Sequence, residues 1–344
     1  MKILVYTPSF YPKVGGLETV NYLIVQGLAE HYDVTVITPV LDVDDDHLYQ
    51  CKVIRTTSKL ILLKEYFKCD VFIHSVLSLK GLFPLFLFPK KWIVIHHTCY
   101  FRVWNQGETF SSRLKSFFSY FSHNICVSNA VGKNLGLKKY AVIHNSFDTT
   151  LFRNYKMGQR SGFVFVGRLV SEKGIGLLIE AYLKYLLASS KKQKLFIIGD
   201  GPMMQEYKML ISKYDMDEQI FLLGQLRGEK LVGELNQRYC MIVPSLYKEA
   251  FGIVALEGLA CGCQVIGSDS DGISEAIGTC GLLFEKGNSE DLASKMLKMD
   301  SMKPLKDEIV FNYLKKFTPE SMVQKYLDYL KYEKENNYIS SHRK

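Results

Sequence analysis

The chain runs to 344 residues, 47% apolar and 23% charged, with a formal charge of +8. This is an ordinary globular composition, long enough for two domains of about 150 residues each. No uninterrupted apolar run reaches the roughly 18–20 residues of a membrane-spanning helix, and MKILVYTPSF breaks at Thr7 and Pro8, too early for a signal peptide. Eight cysteines (51, 69, 99, 126, 240, 261, 263 and 280) form neither a C-x-x-C pair nor a disulfide framework, so buried, reduced thiols and a cytoplasmic location are expected.

In chain order, KILVY (2–6) reads as a strand and LETVNYLIVQGLAE (17–30) places apolar residues at helical spacing. DVTVITP (33–39), VFIHSV (71–76), WIVIHH (92–97), NICVS (124–128) and YAVIHN (140–145) read as further strands. Continuous apolar runs separated by helices predict a parallel sheet covered on both faces. The stretch 150–162 is polar and contains glycine, as a linker does. Beyond it the pattern restarts with FVFVGRL (163–169), KLFIIGD (194–200), IFLLGQL (220–226), CMIVPS (240–245) and QVIGSD (264–269). The expected fold is α/β: two doubly wound Rossmann-like domains, residues 1–155 and 160–317, facing across a cleft with ligands at the C-terminal strand ends. FTPESMVQKYLDYLKYEKE (317–335) has the Thr-Pro-Glu start of a terminal helix.

Glu249 and Glu257, in KEAFGIVALEGLACG, carry the strongest functional signal. They follow CMIVPS and lead into a helix, which sets one carboxylate at the turn and the other about two helical turns deeper, on broadly the same side. Gly252 lets the backbone approach a ligand, and free amides at a helix start suit an anion. Carboxylates that accept from hydroxyls, beside amides that donate to oxygen, suit a sugar carrying a phosphate. The spacing alone is weak, since many surface helices carry two such glutamates.

The surroundings are specific. Pro244 and Ser245 close a strand, and Glu249, Phe251, Gly252, Glu257, Ala260 and Gly262 complete the pattern E-x-F-G-x-x-x-x-E-x-x-A-x-G. This stretch resembles the signature of retaining glycosyltransferases of the GT-B fold, especially family 4, and the resemblance extends from Met1 to about Leu330. It implies that Glu257 accepts from ribose hydroxyls, and that Glu249 with the amides of Ala250, Phe251, Gly252 and Ile253 holds the sugar. It also implies that a helix at about 318–335 crosses back onto the first, acceptor-binding domain.

Other motifs fall in the family's order. Gly15 and Gly16 open the first helix, where their amides can approach a phosphate; the resemblance assigns them the donor's distal phosphate. His97, before Thr98, matches the family's histidine at the transferred sugar, and a one-residue shift of register would make it His96. His74, inside VFIHSV, is expected in the core or at a sheet edge. Arg168 and Lys173, just past a strand, form cations for a pyrophosphate and match the family's G-R-L-x-x-x-K-G element. Gly199 and Gly201 sit at another strand end, with Met204 where a dinucleotide fingerprint needs its third glycine. VIHNSFD (142–148) is similar to an interdomain turn held by Asn145 and Asp148.

No metal and no cofactor are expected. Asp44, Asp45 and Asp46 read as a solvated turn, and Asp269 and Asp271 as a helix cap. Residues 1–160 hold 19 basic and 11 acidic side chains, residues 161–344 hold 24 of each, and residues 47–160 hold 17 against 4. An anionic partner is expected on the first half. A membrane surface or lipid phosphate fits better than nucleic acid, because no nucleic-acid motif accompanies the charge. The aromatic-basic segments 59–68, 77–91 and 113–121 suit either buried helices or a peripheral contact with the inner face of the cytoplasmic membrane.

The resemblance implies a retaining hexosyl- or N-acetylhexosaminyltransferase. Its partners are a nucleotide-sugar donor and a glycan or lipid-linked acceptor, in bacterial surface polysaccharide or lipopolysaccharide synthesis. A GT-B nucleotide-sugar epimerase and a catalytically silent partner subunit are the alternatives. Intact Arg168, Lys173, Glu249 and Glu257 speak against the silent partner.

Overall fold

The computed structural model describes residues 1–12, 15–41, 49–98, 110–156 and 158–341. The triple aspartate at 44–46 and Cys99 lie outside these residues. The chain divides into two compact units, Met1–Ser146 with Phe317–Lys344, and Phe147–Lys316.

In the first unit β1 (Lys2–Tyr6), α1 (Gly16–Ala29), β2 (Asp33–Thr38), β3 (Lys52–Arg55), α2 (Lys59–Lys68) and β4 (Val71–Ser75) come first. Then follow α3 (Phe83–Leu87), β5 (Lys91–His96), α4 (Phe110–Ser119), β6 (His123–Cys126), α5 (Asn129–Asn134) and β7 (Ala141–Val142). Among the described residues the strands form one sheet in the order β3-β2-β1-β4-β5-β6-β7, every neighbouring pair parallel. Its central strands are buried along nearly their whole length, which is why they read as unbroken apolar runs. Leu4, Tyr66, Phe72, Trp92 and Val94 make one core cluster of this unit.

The helix α13 (Pro319–Ser341) belongs to the first unit and packs on α1, with Gly27 against the side chain of Val323. Glu333 ties α13 to the sheet, 3.3 Å from Lys91 Nζ and 3.0 Å from His123 Nδ1. His74 is wholly buried in β4, where its Nδ1 accepts from Trp92 Nε1 at 3.0 Å.

The second unit runs β8 (Phe163–Val166), α6 (Ile175–Ala188), β9 (Leu195–Ile198), α7 (Met204–Lys213), β10 (Ile220–Gly224), α8 (Gly228–Gln237) and β11 (Cys240–Val243). After these come α9 (Ile253–Ala260), β12 (Gln264–Ser268), α10 (Asp271–Ile277), β13 (Leu282–Phe284), α11 (Ser289–Ser301) and α12 (Asp307–Leu314). Its sheet has the order β10-β9-β8-β11-β12-β13, again all parallel. Phe163, Phe165, Tyr182, Tyr185, Ile242 and Leu292 lie in its core. Six of the cysteines, 69, 126, 240, 261, 263 and 280, are buried free thiols, and Cys51 is half-buried. Both sheets are doubly wound: the first strand sits beside the fourth, and the chain leaves that pair in opposite directions.

Candidate active site

In the second unit β8 leads to β9 on one flank and β11 to β12 on the other. The loops after β8 and β11 therefore diverge, leaving a gap at the reversal of strand order where side chains from both can meet. Two backbone bonds lace these loops, Leu246 N–H and Tyr247 N–H donating to Glu172 O at 2.9 and 3.2 Å. Lys173 Nζ forms an ion pair with Glu249 Oε1, which also accepts from Ser245 Oγ at 2.8 Å. Gly174, at φ 72°, caps α6 in the left-handed region, and a Cβ there would overlap the carbonyl oxygen of Pro244. Arg168 is exposed on the same loop as Lys173. The two cations are thus unequal: one is already engaged by a carboxylate.

Further backbone bonds fix the neighbouring strand ends. Gly167 N–H donates to Ile198 O at 3.0 Å, Leu169 N–H to Asp200 O at 2.9 Å, and Gly199 N–H to Gly224 O at 2.8 Å. Gly201 lies against the backbone of Leu169. Gly199 takes φ 144°, and a Cβ on it would collide with the carbonyl of Gly167. Gly199→Ala is accordingly expected to lower stability by at least about 2 kcal/mol, read as a fall in thermal midpoint. An unchanged midpoint would show that this loop yields.

Glu249 stands at the turn before the helix, as expected, and Glu257 lies within the helix. α9 begins at Ile253, so Glu249 precedes the helix and is placed by the loop and its ion pair. Ala250 and the carbonyl of Glu249 press on Gly272 at the start of α10, and Phe251 is buried. Gly252 caps α9 at φ 88°. Glu257 sits on α9 in a different environment. Burial, and then the charge of Asp148, raise its carboxyl to about 7. Asp148 is itself held in its turn, accepting at Oδ1 from Thr150 N–H, Thr150 Oγ1 and Leu151 N–H at 3.0, 2.6 and 3.2 Å. Asn145 does not share that work through its oxygen: Oδ1 is buried and meets no partner among the described residues.

Asp269 and Asp271 read from sequence as a cap for α10, but Ser270 occupies the cap position without a side-chain bond and Asp271 is the first helical residue. Asp269 instead accepts from the Ser274 hydroxyl at 2.8 Å.

The corresponding reversal of strand order in the first unit lies between β1 and β4. Gly15 is the N-cap of α1 and Gly16 its first residue, and the Glu18 carboxylate lies over Gly15, accepting from Ser9 Oγ at 3.0 Å. His97 follows β5, is 6% exposed, and joins a buried polar chain. Its Nε2 is 3.0 Å from Ser75 Oγ, which donates to Asn21 Oδ1. Asn21 Nδ2 in turn donates to Thr7 Oγ1 at 3.0 Å and Ser9 O at 2.8 Å. Burial, and then neighbouring His96, lower the His97 imidazole to about 3. His96 goes elsewhere, its Nε2 2.7 Å from Asn124 Oδ1. Sequence reading missed Glu18, Asn21, Ser75 and the hydrogen bond from Ser245 to Glu249. Polar residues spaced through apolar segments were the available signal.

Residues 148–315 match the family model described as glycosyl transferases group 1. An uncharacterized glycosyltransferase of Methanocaldococcus jannaschii is 32% identical over 219 residues, covering 60% of this chain and 60% of that protein. The phosphatidylinositol N-acetylglucosaminyltransferase gpi3 subunit of Schizosaccharomyces pombe is 29% identical over 200 residues, covering 55% of this chain and 43% of that one. The matched part therefore spans about half the length of these relatives. In structure, Anabaena HepE, solved in complex with UDP, superposes with a TM-score of 0.78 at 18% identity, covering 96% of this chain and all of that one. The second unit is thus matched along almost its whole length by the glycosyl transferases group 1 model, and the chain has the GT-B fold of two Rossmann-like domains.

Proposed function

We propose that the protein transfers a hexosyl or N-acetylhexosaminyl group from a nucleotide-diphosphate sugar to a glycan or lipid-linked acceptor, with retention at the anomeric carbon. One observation carries this reading: Lys173, Glu249 and Ser245 converge where the strand order of the second sheet reverses. A diphosphate entering there competes with Glu249 for Lys173, and Arg168 adds a second positive charge. Glu249, released from its ion pair, accepts from sugar hydroxyls, and Glu257 accepts from the ribose.

The bond from the anomeric carbon to the phosphate oxygen breaks as the acceptor oxygen bonds to the same face of that carbon. The acceptor's proton passes to the departing phosphate. Lys173 and Arg168 stabilise the charge that grows on the diphosphate, which lowers the barrier because that charge is largest in the transition state. In this reading the two cations do the work of a metal, so transfer should persist in excess EDTA.

The purified chain should release nucleotide from one member of a panel of UDP-, GDP-, ADP- and dTDP-sugars, and Glu257→Ala should abolish that release. The anomeric coupling constant of the product reports retention directly. An inverted product removes the proposed mechanism. Failure to bind any donor removes the enzyme reading and favours a silent partner subunit; interconversion of free donors would favour an epimerase.

Exposed aromatics on the first unit support an acceptor held at an anionic membrane. Ring contacts link Phe67 to Phe88 and Phe86 through Phe118 and Phe117 to Phe121, joining α2, α3 and α4. Phe86 and Phe121 are 67% and 69% exposed. Exposed rings on a stretch of chain whose residues 47–160 hold 17 basic side chains against 4 acidic ones suit a lipid interface. Co-sedimentation with vesicles containing phosphatidylglycerol is expected for the wild type and lost in Phe86→Ser/Phe121→Ser. Equal sedimentation of the two would remove this surface as the contact.

A further inference from the structure

The buried polar chain leading to His97 has only one consistent arrangement of protons. It is anchored at the carbonyl of Ser9, which can only accept. The Asn21 atom 2.8 Å away is therefore the amide nitrogen, and Asn21 Oδ1 must face Ser75. The Ser75 hydroxyl proton is spent on that oxygen. A lone pair of Ser75 Oγ then faces His97 Nε2 at 3.0 Å, so Nε2 must carry a proton. Thr7 agrees: its own proton goes to Ser9 O at 2.8 Å, leaving Oγ1 to accept from Asn21 Nδ2. His97 Nδ1 is buried and, among the described residues, has no hydrogen-bond partner. A charged imidazole would place a proton on Nδ1 as well, a buried N–H with no acceptor among the described residues, and burial opposes that charge.

We propose that Thr7, Asn21 and Ser75 are positioning residues that hold His97 as the neutral tautomer protonated on Nε2, so that Nδ1 is a bare acceptor for a hydroxyl of the carbohydrate. Strand geometry makes this economical. Thr7 directly follows β1, Ser75 ends β4 and His97 directly follows β5, so three adjacent strand ends and α1 supply the whole chain. An acceptor buried without a partner is costly and rare in a folded protein, and a ligand hydroxyl resolves it. The fixed tautomer also gives selectivity: a sugar with a hydroxyl at that point donates to Nδ1, and its deoxy analogue leaves the lone pair unsatisfied. The identity of the ligand rests on the glycosyl-transfer reading; the tautomer does not.

Long-range proton–nitrogen NMR spectra of the full chain, labelled with ¹⁵N-histidine, test both parts. His97 is assigned by the signals missing from His97→Gln. The expected spectrum shows an unprotonated Nδ1 and a protonated Nε2 at neutral pH. The reverse pattern, or two protonated nitrogens, overturns the proposal without any need for a variant to fold. Ser75→Ala is then expected to admit the Nδ1-protonated tautomer and to lower kcat about tenfold with little change in donor KM, and Ser75→Thr to restore both. A tautomer change without a change in kcat overturns the positioning role. If the wild type shows the expected tautomer but transfers no sugar from any donor, the assigned ligand falls and the proton arrangement stands.

Discussion

Lys173→Ala should cut the rate of glycosyl transfer by about 10²–10³-fold, the usual consequence of removing one fixed donor from a developing oxyanion. The same change should cost little stability, about 1 kcal/mol or less, because both partners of the Lys173–Glu249 pair keep some contact with water. The separation of the two effects is the informative part. A lysine kept only to fasten two loops would lower the thermal midpoint and the rate together. A lysine that meets the leaving diphosphate lowers kcat while the fold persists. Lys173→Arg keeps the charge and should recover part of the rate, though the planar guanidinium cannot reproduce the point contact of an ammonium. Glu249→Gln releases Lys173 in the free protein, so it should tighten binding of the bare nucleotide diphosphate while impairing transfer. A rate loss below tenfold for Lys173→Ala would remove that residue from the reaction.

Glu257→Gln should move stability and binding in opposite directions. The folded protein holds the Glu257 carboxyl proton up to about 7, against 4.5 ordinarily. Between those values the native state binds more protons than the unfolded chain, so the contribution of this group falls as pH rises and is flat above about 7. A neutral glutamine removes that penalty. The variant should gain at most about 3 kcal/mol at pH 8, about 1 kcal/mol at pH 5 and almost nothing at about pH 4 or below. It should also bind nucleotide about 10–100-fold more weakly, since an amide accepts less strongly than a carboxylate and from fewer ribose hydroxyls. Thermal melts at pH 5 and pH 8, with and without UDP, measure both effects. Equal midpoints at pH 8 would show that burial does not strain Glu257, and an unchanged shift with UDP would take the ribose role from it.

The parallel sheets were legible because strands buried on both faces must be continuous apolar runs, as in VFIHS and CMIV. β3 and β13 were missed for the complementary reason. KVIR is a half-buried edge strand flanked by charge, and LLF has three residues, too few for a pattern. Helix α13 was visible from its start signal and length, while its end at Ser341 lies beyond the segment read from the sequence.

For the site, the sequence by itself determined which residue types stand at strand ends: the cations at 168 and 173, the acids at 249 and 257, and the histidines at 96 and 97. Such groups are recognisable because they interrupt apolar runs where a sheet must stop, and their order along the chain reflects the order of strands. Only the tertiary structure decided how they pair. Lys173 meets Glu249 because two loops 76 residues apart are laced at the reversal of strand order. Glu257 is perturbed because its helix is buried near Asp148. His97 joins Asn21 and Ser75 through three neighbouring strands, while adjacent His96 turns to Asn124. Partner choice and protonation depend on distances between residues remote in sequence and on the low dielectric around them, and a linear order of residues encodes neither.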